Sequence, residues 1–353
     1  MKRAAVLLAF VLGASACVHT APREPVVWPE PPQKARIRFV TSFSSEEDFP
    51  HSAAELALRA LFGVSGEQPL AQPMGLALSS DGAALYVTDP GRDAIWVARL
   101  REQRLERFAP GAAVGRPFAV AVGGDGEVFV TDQRGHQVIA FDRSGRRLRS
   151  FGAESLVHPC GIAVDPARRR VYVADPAGLD SPSHGVRIFD LEGHPLGNLG
   201  ERGGDDGQLY FPLYLAVGPE GDVFVGDTMN FRVQVFDPDG HFLRKMGEPG
   251  DGPGMFSRIK GLAFDGFGNL YVADGDTALV QVFNRDLAEL TYFAGYAQLL
   301  EYLQLPSAIA IDRHTNTIYV ADEIRPRVNV YQLVNTTAED CATPPAMLSE
   351  VAR

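Results

Sequence analysis

The sequence repeats one short stretch six times, and this repeat decides the fold. The six copies read LYVTD (85–89), VFVTD (128–132), VYVAD (171–175), VFVGD (223–227), LYVAD (270–274) and IYVAD (318–322). Each copy is a run of β-branched, aromatic and other apolar residues closed by an aspartate, which predicts a buried strand that ends in a turn. The aspartates follow one another after 43, 43, 52, 47 and 48 residues. A period of this length with strands inside each unit predicts a β-propeller or a solenoid.

The first five units each have the pattern of four antiparallel strands. In the second unit these are residues 118–122, 127–132, 137–142 and 148–151, and glycine-containing turns join the first to the second and the third to the fourth. Blades of four such strands, repeated radially, protect their own edges. The pattern therefore predicts an all-β propeller with six blades.

The sixth unit lacks one strand. Three strand patterns, ending at residue 333, precede a polar, proline-broken tail over residues 334–353. The alternating stretch ARIRFVTSF (35–43) predicts a strand that has no partner nearby in the sequence. Because an open ring would expose two long edges, we predict that this N-terminal strand completes the last blade of a propeller over residues 35–333.

The repeat resembles the NHL family. Its fullest copy is GDVFVGDTMNFRVQVF (221–236), which has the aspartate, asparagine and arginine of the family motif as Asp227, Asn230 and Arg232. The stretch GDGPGMFSRIKGLAFD (250–265) is similar to the linker that leads into the next blade in that family. The resemblance covers residues 74–333 and implies a six-bladed propeller of the kind found in lipoproteins of Gram-negative bacteria.

The first residues are typical of an export signal. Lys2 and Arg3 precede an apolar run at residues 4–12 that is too short to span a bilayer as a mature helix. The stretch ASAC (14–17) resembles the lipobox of bacterial lipoproteins, which implies a signal peptide over residues 1–16 and a covalent lipid on Cys17. The family prefers leucine where Ala14 stands, so ordinary secretion, with cleavage after residue 16, is the alternative.

Residues 17–34 are rich in proline and predict a stiff tether between the lipid and the propeller. Val18, rather than aspartate, follows the cysteine, and by analogy with enteric bacteria this favours the outer membrane. We therefore expect a cell-envelope protein of a Gram-negative bacterium that is held at the membrane by its N-terminal lipid.

A short helix is predicted over residues 52–62. Ser52 and Glu55 form a capping box, and the apolar residues that follow have helical spacing up to Gly63. We expect this helix to cover the rim of the propeller, although a partner-binding helix has the same pattern.

The charge and the motifs exclude several functions. The formal net charge is −11 and no basic stripe is present, so we expect no binding of nucleic acid. No HExxH, GxSxG or P-loop spacing occurs, and no histidine opens an inner strand as zinc ligands would in a propeller lyase. The six repeated aspartates are predicted to bind turn N–H groups in every blade.

We expect no metal and no cofactor apart from the lipid. Structural calcium in the oxygen-rich loops is left open, and so is a disulfide between Cys160 and Cys341 in the oxidising compartment.

The binding surface is predicted at the mouth of the central channel, where the inner strands begin and the loops after the aspartates lie. Its candidate residues are Met74, Arg92, Phe118, Arg134, Cys160, Tyr214 and Lys260. The long loop PAGLDSPSHG (176–185) lies at the same end, and long loops on a rigid scaffold commonly carry recognition. The sequence favours a non-enzymatic binding module for an envelope protein, a peptide or a glycan. The alternative is a propeller-type lyase or hydrolase with a metal ion in the channel.

Overall fold

The computed structural model describes residues 25–51, 69–111, 114–178, 181, 184–297 and 299–342. These residues form 27 β-strands, two 3₁₀ turns (Glu46–Asp48 and Thr228–Asn230) and one short α-helix, α1 (Ala338–Ala342). The strands are β1 (Val27–Trp28), β2 (Ile37–Phe43), β3 (Gly75–Leu78), β4 (Ala84–Asp89), β5 (Ala94–Arg99), β6 (Arg104–Phe108), β7 (Pro117–Val122), β8 (Val128–Asp132), β9 (Gln137–Phe141), β10 (Arg147–Phe151), β11 (Ile162–Asp165), β12 (Arg170–Asp175), β13 (Gly185–Asp190), β14 (Pro195–Leu199), β15 (Glu201–Arg202), β16 (Gln208–Leu209), β17 (Pro212–Val217), β18 (Val223–Asp227), β19 (Arg232–Phe236), β20 (Phe242–Met246), β21 (Ile259–Phe264), β22 (Leu270–Asp274), β23 (Leu279–Phe283), β24 (Glu289–Ala294), β25 (Pro306–Asp312), β26 (Thr317–Asp322) and β27 (Arg327–Leu333).

The strands form a ring of six blades. Blades 1 to 5 are the four-stranded sheets β3–β6, β7–β10, β11–β14, β17–β20 and β21–β24, and blade 6 contains β25, β26 and β27. The inner strands β3, β7, β11, β17, β21 and β25 each contact the next one, and β25 contacts β3. The ring is therefore closed, and the predicted all-β, six-bladed propeller is confirmed.

The N-terminal strand completes blade 6, as predicted. Strand β2 pairs with β27 in antiparallel fashion, with Ile37 opposite Leu333 and Phe43 opposite Val328. Ile37 is fully buried between blades 5 and 6. The two ends of the chain thus close the ring through main-chain hydrogen bonds and apolar burial.

Part of the segment predicted as a tether, residues 17–34, packs on blade 6. Strand β1 adds a fifth strand to blade 6 by pairing with β2, and Trp28 is only 6% exposed. The Trp28 ring contacts the rings of Phe293, Tyr302 and Tyr331, with centroids 6.2, 5.5 and 5.8 Å away. A proline-rich composition favours an extended linker, but one large aromatic side chain gains enough by burial to dock such a segment.

The hydrophobic core consists of six clusters, each of which lies between two neighbouring blades. Close approach of the inner strands requires glycine at two of their starts. A Cβ atom on Gly75 would lie 2.7 Å from Ala119 Cα, and one on Gly161 would lie 2.6 Å from Leu213 O. The inner ring is therefore narrow, and side chains at its upper end meet one another. We call this end, where inner strands begin and second strands end, the upper face.

The helix predicted at residues 52–62 lies outside the described residues. Helix α1 belongs to the tail 334–353, for which no structure was predicted, and its Cys341 is buried. Within the described part of the chain, no helix is long and apolar enough to cross a membrane.

Candidate functional site

The six repeated aspartates bind the chain segment that leads into their own blade. Each carboxylate accepts main-chain N–H groups from residues 16 to 18 positions earlier. The pairs of aspartate and donor are Asp89 with Ala71 and Gln72, Asp132 with Arg116, Asp175 with Val157 and His158, Asp227 with Tyr210, Asp274 with Ser257 and Arg258, and Asp322 with Gln304 and Leu305. The aspartates are structural, as predicted, but the donors that all six share lie in the segment that enters the blade. Among the described residues, N–H groups of the following turn donate to the side chains of Asp132, Asp175, Asp274 and Asp322 and not in every blade.

Blade 4 has the fullest network around its aspartate. Asp227 Oδ2 accepts hydrogen bonds from Arg232 Nε at 2.8 Å, from Asn230 Nδ2 at 2.9 Å and from Gln234 Nε2 at 3.0 Å. Burial raises the pKa of Asp227, and these donors together with the Tyr210 N–H oppose that effect. The network ties loop, strands and linker of one blade into a single unit.

The predicted mouth residues do lie at the upper end of the inner strands, but most of them are buried. Met74, Cys160, Tyr214 and Lys260 are 7, 1, 7 and 6% exposed. Phe118 of blade 2 and Tyr214 of blade 4 contact each other across the channel, with ring centroids 5.8 Å apart. These four residues therefore offer little exposed surface, and the binding role predicted for the mouth residues stays a prediction. Their positions follow from the repeat, but the contact between side chains of non-adjacent blades does not.

An ion pair lies at the mouth beside these apolar side chains. Lys260 Nζ of blade 5 is 2.8 Å from Glu323 Oε2 of blade 6, and Gln72 Nε2 donates to Glu323 Oε1 at 2.8 Å. Burial pushes the pKa of Glu323 upward, but the hydrogen bonds from Lys260 and Gln72 outweigh it and hold the pKa below its usual value. Glu323 was not predicted. It follows the repeat aspartate where the other copies have Pro90, Gln133, Pro176, Thr228 and Gly275.

Hydroxyl groups bind neighbouring blades together at the same level. Thr88 donates to Phe118 O at 2.7 Å, and Thr131 donates to Cys160 O at 2.8 Å. Ser307 donates to Pro73 O at 2.5 Å across the junction of blades 6 and 1. The hydrogen-bonding capacity of these mouth residues is thus used inside the protein.

The two predicted arginines lie on the rim. Arg134 is exposed and forms an ion pair with Asp93 at 3.1 Å, while Arg92 is half-buried and its Nε donates to Pro69 O. Both belong to loops that follow the repeat aspartates of blades 1 and 2. They are the two predicted site residues that remain on the outside of the upper face.

Apolar side chains are exposed around the same rim. They come from the linkers between blades and from the loops after the aspartates, mostly in blades 4 to 6. The residues are Val157, Met229, Met255, Tyr296, Leu299, Leu300 and Ile324. Arg325 NH1 donates to Leu299 O at 2.8 Å, so the loop of Ile324 lies against the linker of Leu299 and Leu300. Exposed apolar side chains that lie close together, as those of Leu299, Leu300 and Ile324 do, are typical of interaction sites.

The long loop 176–185 is anchored by a buried histidine. His184 is 1% exposed, its Nδ1 accepts from the Phe211 N–H at 3.1 Å, and its Nε2 lies 2.8 Å from Gly178 O. Its ring stacks on Tyr210. Residues 179–180 and 182–183 of this loop lie outside the described residues, so its predicted role in recognition stays a prediction.

Cys160 and Cys341 are free thiols, so the disulfide that the sequence left open does not form. Cys160 Sγ is 3.5 Å from Gln133 Nε2, and Cys341 Sγ is 3.2 Å from Asn269 Nδ2. Burial raises the pKa of both thiols. Each cysteine therefore acts as a small buried side chain in a separate part of the fold.

A groove of about 1210 Å³ lies on the side of the propeller and was not predicted. It is bounded by β24, by residues 28–36 and by residues 336–341, and aromatic rings including those of Trp28 and Tyr292 line it. Among the described residues, no three His, Cys, Asp or Glu side chains are grouped as metal ligands, in this groove or elsewhere.

The protein is a six-bladed β-propeller with a mouth closed by its own side chains. A family model for DUF5128, described as a 6-bladed beta-propeller, matches residues 219–292. No curated protein sequence matches the chain.

Solved structures with the same fold have very different sequences. A protein of unknown function from Bacteroides thetaiotaomicron is 15% identical, with a TM-score of 0.61 over 76% of this chain and 70% of that one. A gluconolactonase from Xanthomonas campestris is 17% identical, with a TM-score of 0.60 over 84% and 98%. A virginiamycin B lyase from Staphylococcus aureus is 13% identical, with a TM-score of 0.54 over 75% and 96%. Likenesses at this level of identity show the fold, and the fold does not determine the function.

Proposed function

We propose that the protein is a non-enzymatic binding module of the cell envelope, which holds an envelope protein on the rim of its upper face. The observation that carries this proposal is the set of exposed apolar side chains on that rim, beside a mouth whose polar groups are engaged with one another. A catalytic site needs polar groups that converge on a substrate, whereas a protein interface needs an apolar centre with a polar rim.

The two halves of the rim differ in a way that suits a protein partner. Leu300 and Ile324, each 58% exposed, lie on the apolar side, and Arg134 with Asp93 lies on the polar side. Apolar anchors with charged groups beside them supply affinity and orientation, respectively. Nothing seen on the described residues specifically favours the alternative of a lyase or hydrolase, or bound calcium.

The membrane attachment and the repeat type belong to the same proposal. Cys17 would carry the lipid, and it lies ten residues before the start of β1 (Val27–Trp28), which pairs with β2 of blade 6. The network of Asp227, Asn230 and Arg232 in blade 4 supports an NHL type of repeat. If the lipid is the anchor, the Cys17→Ser protein will be recovered in the soluble periplasmic fraction, and recovery with the membranes would contradict it.

The binding proposal is tested by affinity capture of the tagged full-length protein from gently solubilised membranes. We expect a stoichiometric protein partner with the wild type. Ile324→Glu and Leu300→Glu should lose it, since each puts a charge into the apolar part of the rim. Leu196→Glu is the matched control, because Leu196 is 54% exposed on the outer strand β14, away from the rim.

Surface changes of this kind alter stability by only about 0.5 kcal/mol, so a loss of the partner would not reflect unfolding. Retention of the partner by both rim variants would refute the rim as the interface. Bound metal in the wild type without any partner would favour the enzyme instead.

A further inference from the structure

A second cavity lies between blades 1 and 2 at the face opposite the rim. It has a volume of about 220 Å³ and is lined by the turns of Ser79–Ala83 and Arg101–Glu102, by Tyr86 and by Arg143. Three arginines, Arg99, Arg101 and Arg143, line it, in a protein whose net charge is −11. The channel mouth and the proposed interface share none of these residues.

The hydroxyl of Tyr86 points to a ligand. Tyr86 is 2% exposed and lines the cavity, and none of the described residues hydrogen-bonds to its hydroxyl. Tyr172 occupies the same position of the repeat in blade 3, and there the hydroxyl donates to Pro238 O at 3.3 Å. The Tyr86 hydroxyl opens into the cavity and uses no acceptor in the described part of the chain, so it can donate a hydrogen bond to a ligand bound there.

The comparison of the two blades also explains why the cavity exists. Two residues before Tyr172, Arg170 fills the space between blades 3 and 4 and donates to Asp239 Oδ1 at 3.0 Å. Two residues before Tyr86 stands Ala84, which lines the cavity. The small side chain leaves open a space that its equivalent occupies elsewhere in the ring.

The positive groups of the cavity are available to an anion. The Arg143 guanidinium lies against Gly126, where a Cβ would overlap it, and it donates no hydrogen bond to a described residue. Arg101 NH2 donates to Asp81 O, and Arg99 uses Nε for Glu106. Burial raises the pKa of Tyr86, and the charges of Arg99 and Arg143, which line the same cavity, oppose that rise.

Two carboxylates also line the cavity, and both have partners. Asp81 Oδ1 accepts from Ser79 Oγ at 2.6 Å and from the Ala83 N–H at 3.1 Å. Glu102 lies 3.8 Å from Arg104 on the outside. The guanidinium groups therefore exceed the carboxylates at the opening.

We propose that this cavity binds a phosphate group carried by a small molecule, a glycan or a lipid headgroup. Guanidinium groups bind the oxygens of phosphate through paired N–H donors, and the Tyr86 hydroxyl supplies a further donor from the floor. The volume accommodates a phosphate and the first atoms of its carrier. A group bound here would contact blades 1 and 2 together.

The test is isothermal titration of the full-length protein with inorganic phosphate at constant ionic strength. We expect saturable binding by the wild type and at least tenfold weaker binding by Tyr86→Phe and by Arg143→Gln. Tyr172→Phe is the matched control, because its hydroxyl already has a protein partner, and it should bind phosphate like the wild type. Ala84→Leu, which fills the cavity without a charge, should also lose binding.

Glycerol 3-phosphate and glucose 1-phosphate distinguish the sources of the phosphate. Tighter binding of the first indicates a lipid headgroup, tighter binding of the second indicates a glycan, and equal binding indicates recognition of the phosphate alone. The proposal is overturned if the wild type shows no saturable binding of any of the three. It is equally overturned if Tyr86→Phe and Arg143→Gln bind as the wild type does.

Discussion

Replacing Glu289 by glutamine is expected to stabilise the propeller at pH 8 and to change its stability little near pH 4. Glu289 is the first residue of β24, and its Oε1 atom is buried without a hydrogen-bond partner among the described residues. Burial raises the pKa of this carboxyl to about 7, and the nearby main-chain N–H of Gly254, which donates to Gln281 Oε1, only partly opposes this rise. The folded protein therefore holds a proton on Glu289 that the unfolded chain has already released.

The sign and the size of the effect follow from this difference in pKa. Between the unfolded pKa of 4.5 and the folded pKa of about 7, the unfolded state binds fewer protons, so stability falls as the pH rises. The loss is complete above pH 7 and corresponds at most to about 3 kcal/mol. Because the side chain is partly exposed, we expect about 2 kcal/mol. Glutamine does not ionise, so the variant should not show this loss.

Urea unfolding from pH 4 to pH 8 measures the effect, with the fluorescence of the buried Trp28 and Trp96 as the signal. The free energies of unfolding of Glu289→Gln and the wild type should coincide within about 0.5 kcal/mol at pH 4 and diverge through pH 6. Glu154→Gln serves as the control, since Glu154 is exposed, and it should follow the wild type throughout. Parallel curves for Glu289→Gln and the wild type would refute the reasoning.

Two substitutions and one thiol assay test the fold further. Asp227→Ala should lower the free energy of unfolding by about 3 to 5 kcal/mol, because it removes the buried carboxylate that pairs with Arg232, and urea unfolding beside Arg134→Ala as an exposed control would measure this. Trp28→Ala should cost about 3 to 5 kcal/mol, and a cost below about 1 kcal/mol in the same assay would mean that β1 does not pack as described. Cys160 and Cys341 should be unreactive towards a thiol reagent in the folded protein and should both react once the protein is denatured, with no reductant added. If neither reacts in the denatured, unreduced protein, the two cysteines form a disulfide.

Most of the fold could be predicted from the sequence, because the same strand pattern recurs in six units. A buried strand that ends in an aspartate needs the same pattern of residues in every blade, so the number of blades and the role of the aspartates can be predicted. The orphan strand 35–43 could be matched to blade 6 because its partner was missing there. Strand β1 could not be predicted, since two residues within a proline-rich segment carry no periodicity, and only the docking of Trp28 shows that they pair.

The candidate site was harder to predict because it depends on contacts between blades. The repeat correctly placed Met74, Phe118 and Tyr214 at the upper end of the inner strands. Whether that end is open depends on the reach of each side chain across the ring, and Phe118 meets Tyr214 there. A residue pattern within one blade cannot predict a contact between side chains of two different blades. The pairing of Lys260 with Glu323 could not be predicted for the same reason, since the two residues belong to different blades and are 63 positions apart in the sequence.

Departures from the repeat carry more information about function than the repeat itself. A position that every blade fills in the same way, such as that of Asp89 or Asp322, is explained by the needs of the blade. Ala84 is different, because its equivalent Arg170 occupies the space that Ala84 leaves open beside an unpartnered hydroxyl. Stability alone would favour a side chain that fills this space, and Ala84 does not fill it. The proposed phosphate site would account for this departure, because the arginines of the cavity and the Tyr86 hydroxyl could then donate to a bound phosphate group.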